Sequence, residues 1–226
     1  EFLKGLAVLI VFLMFRREFD STLDGIIYAA MAALGFAATE NTFYIYSRGY
    51  QEGGWGALWL LVFIRVILVG WQHPFYTAFT GIGFAASRLN RNPLVKFAAP
   101  ILGYVVAVGL HAFHNTFGGL VGGMIGDLGG LAVGTLVDWF MWLVMLGFII
   151  YMIVREQNLV KRHLREEVAL GLITPAQYNK ALSPWTMSTA GLSGRASGRF
   201  YQVLGELAHK KEQYTRLGDE TGNAAI

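Results

Sequence analysis

Glu40 and Asn41 stand side by side in GFAATENTFYIY (35–46), directly after the apolar run 26–34. His73 precedes Pro74 in GWQHPFYTAFTG, and His111, His114 and Asn115 fall together in GLHAFHNTFGG. Burying an acid costs several kcal/mol unless a partner satisfies it, so ionisable groups in such surroundings usually mark function. His111 and Asn115 are four apart and His111 and His114 three apart, so each pair shares a helix face. A glutamate with histidines from other segments can do two kinds of chemistry. The carboxylate can take a proton from water as general base. Alternatively, Glu and His can ligate a divalent metal such as zinc that acidifies the water. Asn115 can donate to an oxyanion.

Each residue also has a purely structural reading. Asn41 and His114 can serve as hydrogen-bond partners between membrane helices. His73 can cap a helix before Pro74. Asp138 is either a relay acid or a partner for Arg65.

The elements that must position these groups are apolar. The chain is 54% hydrophobic and 15% charged, where a soluble domain carries about 25% charged residues. An all-α polytopic membrane helix bundle is expected, with segments at 2–15, 25–46, 71–87, 97–118 and 130–154. The chain has no cysteine, which excludes disulfides and thiol chemistry. Its net charge of +3 is small, and no nucleic-acid partner is expected. The opening EFLKGLAVLIVFLMFRR lacks an initiator Met, a basic start and a cleavage site, so the chain is expected to begin inside a longer protein.

The stretch from Trp55 to Leu68 decides the topology. If it crosses alone, Arg16 and Arg17 face the side opposite Arg88, Arg91 and Lys96. If it lies in the interface or re-enters, all of these share one side with the basic tail from Arg155. The positive-inside rule favours the second arrangement and makes that side cytoplasmic. Glu40, His73 and the His111 cluster then meet at one level in the outer leaflet. Tyr44, Tyr46, Trp55, Trp59 and Trp71 read as an interfacial aromatic belt.

From Arg155 the pattern changes to charged and apolar residues at helical spacing. Residues 1–154 are therefore read as the membrane domain and 155–226 as a small helical cytoplasmic tail. Thr174-Pro175 marks a helix start. Residues 188–198 read as a Ser/Gly linker, a second amphipathic helix follows, and 220–226 are expected to fray.

Three blocks resemble the PrsW family of intramembrane proteases, relatives of the CAAX prenyl endopeptidase and bacteriocin-processing group. They are GFAATEN with Tyr44; HPFYTAFTGIGFA with His73, Thr77 and Gly81; and GLHAFHN with His111 and Asn115. The resemblance covers roughly residues 1–154. The opening EFLK looks like the second half of the family's Glu-Glu-x-x-Lys motif, with Glu1 as its second glutamate and Lys4 as its lysine.

The resemblance implies an endopeptidase in the bacterial plasma membrane. Its implied substrate is a single-pass membrane protein such as an anti-sigma factor, cut near the outer surface. Glu1, Glu40, His73, His111 and Asn115 are its candidate catalytic residues, with His73 and His111 as metal ligands if a divalent ion takes part. Glu1, with a second glutamate just upstream, would activate water, and Glu40 would act directly or hold a histidine in register. Gly81 and Gly83 would let helices pack closely around the site. Two other classes use the same residues. One is a transporter or ion-binding protein of the bilayer. The other is a protease-like protein that binds membrane partners without cutting them.

Overall fold

The computed structural model describes residues 1–218. Among these residues the chain is helical and contains no strand. Three helical runs, Thr22–Arg88, Pro93–Ile125 and Asp127–Ala169, are long and apolar enough to cross a bilayer, and a shorter apolar helix precedes them. The chain is thus an all-α polytopic membrane helix bundle.

Helix α1 (Phe2–Met14) buries Lys4, Val8 and Phe12, one face at four-residue spacing. Helix α2 (Thr22–Tyr44) opens on a capping box. The Asp24 N–H donates to Ser21 Oγ at 3.3 Å, and the Ser21 N–H donates to Asp24 Oδ2 at 2.7 Å. Gly25, Ala29, Ala33 and Ala37 form its buried face, a stripe of small residues suited to close packing in lipid.

The helical path does not end at Tyr46. It continues through a π-helical turn, Ile45–Tyr50, into α3 (Gln51–Val62). At Gly54 the backbone breaks with φ 65°, a conformation that glycine adopts at little cost. The chain there folds back on itself. Leu58 lies against Gly49, and Arg65 reaches Glu40 and Asn41. A second π-helical stretch, Phe63–Leu68, ends the return arm.

Helix α4 (Gln72–Arg88) then runs antiparallel to α2, with His73 beside Glu40 and Gly81 against Gly25. Residues 55–68 are therefore one arm of a helical hairpin, and the chain returns through it to bring His73 back beside Glu40. The outgoing arm, from Thr22 to Gly53, is about 48 Å long at 1.5 Å per residue, longer than a ~30 Å hydrocarbon core.

The far end of α4 is fixed by polar contacts. Arg88 Nε donates to the Arg16 carbonyl at 3.3 Å, and Ser87 Oγ donates to the Lys96 carbonyl at 2.7 Å. Arg16, Arg88 and Lys96 therefore gather at the end opposite His73. Helix α5 (Pro93–Ile125) starts with Pro93 at its first position and Asn92 as its cap. Gly126, φ 89°, turns the chain into α6 (Asp127–Ala169). Both helices outrun the expected segments, and α6 continues unbroken past residue 154.

The backbones pack closely. A side chain at Gly81 would collide with the Gly25 carbonyl, and one at Gly83 with the Ala99 carbonyl. These approaches lock α2, α4 and α5 together. Many large apolar side chains point outward, among them Phe2, Leu13, Met31, Phe97 and Leu102, as a lipid-facing surface requires.

By its contacts the chain divides into two units. One is Glu1–Arg88 with Asn92–Gly147; the other is Leu89–Arg91 with the chain from Phe148 onward. In the second unit, α7 (Pro175–Ala181), α8 (Pro184–Thr189) and α9 (Arg195–Leu217) accompany the end of α6. Val160, Leu164, Ile173, Ala181, Ala190, Tyr201, Leu204 and Ala208 form its core. The Thr174-Pro175 start carries a capping box with Gln177. The stretch 188–198, expected as a linker, is mostly helical: Gly194, φ 117°, supplies the single break before α9, while Ala190 is buried in the core. The expected fraying of 220–226 lies outside the described residues.

Candidate active site

Four helices bring the site together in the first unit. The Glu1 carboxylate, just ahead of α1, is 4% exposed. Its Oε1 accepts from the Lys4 ammonium and from His111 Nδ1 at 2.9 Å, and its Oε2 accepts from Thr77 Oγ1 at 3.2 Å. Lys4 Nζ also lies 3.1 Å from His73 Nδ1. The other nitrogen of His73, Nε2, donates to Glu40 Oε2 at 3.0 Å. These two partners assign the tautomer. Nε2 carries the proton toward Glu40, and the Nδ1 lone pair faces the Lys4 ammonium.

Glu40 Oε2 also accepts from Arg65 Nη2 at 2.7 Å, and Arg65 Nε donates to Asn41 Oδ1 at 2.9 Å. The Arg65 guanidinium stacks over Tyr44, 4.3 Å from the ring centroid. Arg65 thus ties the return arm of the hairpin to α2. The histidine that Glu40 holds in register is His73. His111 bonds Glu1 instead, because its turn of α5 lies beside α1 and α4 rather than α2.

Asp138 does not pair with Arg65. It is 3% exposed and meets His114 Nδ1 at 2.8 Å, so an acid of α6 is balanced by an imidazole of α5. Tyr76 is fully buried and stacks on the His111 ring, with centroids 5.1 Å apart and planes at 15°.

A cavity of about 330 Å³ opens among these groups. Its walls carry Glu40, Arg65, His73, His111, His114 and Asn115, with Gln72 and Tyr76 beside them. Asn115 is exposed on the wall and makes no side-chain hydrogen bond to a described residue. Glu1 does not line the cavity; its carboxylate is engaged at both oxygens by Lys4, His111 and Thr77.

Of the residues expected from sequence, Glu1, Glu40, His73 and His111 form one connected network, and Asn115 lies on its cavity. Spacing and the type of chemistry sought did not point to Arg65, Tyr76 or Gln72. For Arg65 the signal was its presence in an apolar segment, which demands a partner.

Ligand atoms of Glu1, His73 and His111 all lie within 4.8 Å of one another. One carboxylate and two imidazoles are a donor set suited to a divalent ion such as zinc. Two of the three donors, Glu1 and His73, already meet a positive charge, the Lys4 ammonium, so the set suits a cation in type and in spacing. The contact from Glu40 to the outer nitrogen of His73 matches the carboxylate that orients metal-bound histidines.

The fold and the site define the class: a polytopic helix bundle with a buried carboxylate–imidazole centre. Residues 1–154 match the family described as PrsW family intramembrane metalloprotease, and the chain belongs to that family. It is also similar to Protease PrsW of Oceanobacillus iheyensis, with 28% identity over 120 residues, which cover 51% of this chain and 48% of that protein. The chain spans about half the length of the curated relative it matches. No solved structure matches it.

Proposed function

We propose that this chain is the catalytic part of an endopeptidase that hydrolyses a membrane-anchored protein close to the bilayer surface. The observation that carries the reading is the network Lys4–Glu1–His111 and Lys4–His73–Glu40, drawn from four helices, with Glu40, His73 and His111 on one cavity. Glu1, His73 and His111 would hold a divalent ion, whose chemistry is to acidify water and polarise a peptide carbonyl. Glu40 holds His73 in register through Oε2. Its Oε1 has no hydrogen-bond partner among the described residues and is available to take a proton from water. Asn115, on the cavity wall, would donate to the carbonyl oxygen as it gains charge. Gly25 and Gly81 keep α2 and α4 close enough for the Glu40–His73 contact.

The Lys4 contacts support a second, metal-free reading. There Lys4 stays between Glu1 and His73, and the carboxylates activate water directly.

The basic end formed by Arg16, Arg88 and Lys96 supports a cytoplasmic side opposite the site. The tail would then be cytoplasmic and the cleavage extracytoplasmic in a bacterial plasma membrane. A single-pass substrate such as an anti-sigma factor fits that geometry.

The test uses the full-length parent protein. Wild type and a His111→Ala variant are expressed at matched levels in a host lacking the gene, and new N-termini are compared across membrane proteins. Outer-side termini on single-pass proteins, present with wild type alone, are expected. Identical profiles from two folded proteins would overturn the proposal.

A further inference from the structure

Gln72 lines a second cavity as well as the first. This one holds about 230 Å³ and is walled by Trp71, Trp139 and Trp142 with Ile67, Leu68 and Leu143. Trp139 Nε1 donates to the Leu68 carbonyl at 2.9 Å, which fixes the indole and satisfies a carbonyl at the end of the return arm. Trp71 and Trp142 face each other with centroids 6.0 Å apart. The walls are otherwise aliphatic.

Gln72 is 4% exposed, and its Oε1 is buried with no hydrogen-bond partner. A buried acceptor left unpaired is costly, so its persistence between two cavities points to a partner that arrives from outside. A substrate segment that fills the apolar cavity and also satisfies this acceptor brings an N–H donor and a bulky apolar group side by side. A lipid acyl chain offers the second without the first. A peptide offers both, because each backbone N–H adjoins a side chain.

Resting on the protease reading above, we propose that the Trp71–Trp139–Trp142 cavity is a specificity pocket. It takes one large aliphatic or aromatic side chain of the substrate next to the scissile bond, while Gln72 Oε1 accepts a backbone N–H of the same segment. The pocket adjoins the catalytic cavity through Gln72 itself, so a side chain seated in it places the neighbouring peptide bond toward His73 and His111.

The experiment reconstitutes the full-length parent protein in liposomes with lysine-flanked alanine–leucine peptides. These carry Ala, Leu, Phe or photoreactive benzoylphenylalanine in turn at successive positions. Cleavage is profiled by mass spectrometry, and photolabelling is mapped on the protein. Leu143→Trp fills the pocket and Trp142→Ala enlarges it, so the two variants should act in opposite directions.

Wild type is expected to prefer Leu or Phe over Ala at one position by about 10–100-fold in kcat/KM. Leu143→Trp should abolish that preference, and Trp142→Ala should move it toward bulkier residues. Cleavage with the same side-chain preference in all three proteins would overturn the pocket and leave the protease reading standing. Labelling of the tryptophan cavity that Leu143→Trp abolishes, with no cleavage by wild type, would uphold the pocket and remove the protease reading. A folded wild type that shows neither, or whose cavity is labelled by a photoreactive lipid that peptide does not displace, would overturn the pocket.

Discussion

Glu40 Oε2 lies 3.0 Å from His73 Nε2 across the α2–α4 interface, and the same oxygen accepts from Arg65 at 2.7 Å. One carboxylate oxygen therefore joins the outgoing helix, the return arm of the hairpin and the helix that carries the histidine. Replacing Glu40 by Gln keeps the shape but removes the charge that holds both partners. Cleavage by the full-length parent should fall about 10–100-fold, as for other carboxylates that orient a catalytic histidine. Glu40→Ala should cost more, because it leaves Arg65 partly buried without its carboxylate partner. Initial rates on a fixed substrate, at matched amounts of folded protein, decide it; unchanged rates would remove Glu40 from the mechanism.

Arg65→Lys keeps the positive charge but loses the planar fork that bonds Glu40 and Asn41 together. The return arm should then separate from α2 more often. A disulfide engineered between Gly49 and Leu58 positions on the two arms should form more slowly in this variant than with Arg65 in place.

Gly81 cannot carry a side chain without driving the backbone of α4 away from the Gly25 carbonyl. Gly81→Ala should destabilise the bundle by about 1–3 kcal/mol, the usual cost of overpacking. The expected readout is a lower Tm in detergent. Cleavage should fall with it, since separating α2 from α4 also separates Glu40 from His73.

Removal of a divalent ion with a chelator should abolish cleavage, and zinc should restore it. The bound metal should disappear in a His111→Ala variant measured by elemental analysis. Full activity of metal-free protein would favour the arrangement in which Lys4 remains between Glu1 and His73.

The tail carries its own pH dependence. Burial pushes the Glu212 carboxyl up, but the His163 hydrogen bond and the Arg216 charge hold it below its ordinary value of 4.5. A lowered folded value means that this contact stabilises above the ordinary value and is lost as pH falls below it. Burial pushes Lys211 down, but its bonds to Glu167 and Glu166 raise it above its ordinary value of 10.5. That contribution is present below 10.5 and fades as pH rises beyond it. Resistance of α9 to limited proteolysis should therefore decline as pH falls below 4.5 and as it rises beyond 10.5. A decline near neutrality would show that other groups govern the packing.

The apolar blocks alone specified the helical class, because runs of that length bury their polar backbone only as helices in lipid. Spacing placed His111 and Asn115 on one face, and the isolated acid at Glu40 marked the centre. Arg16, Arg88 and Lys96 were legible as one basic side from charge asymmetry, and Arg88 does reach Arg16. The hairpin was legible only in part: charge asymmetry favoured a stretch 55–68 that lies in the interface or re-enters. Residues 55–68 read as a short apolar stretch because nothing in a hydropathy profile records that Gly54 reverses the chain.

Residue types and their local periods, then, determined by themselves that this chain spans a membrane and carries acids and histidines there. Those properties depend on neighbours within a turn or two. Which acid meets which histidine was decided only by the packing of α1, α2, α4, α5 and α6. His111 faces Glu1, His73 bridges Lys4 and Glu40, and Asp138 takes His114. Partners as many as 110 residues apart are chosen by the glycine contacts that set how closely each pair of helices approaches, and no local pattern encodes that choice.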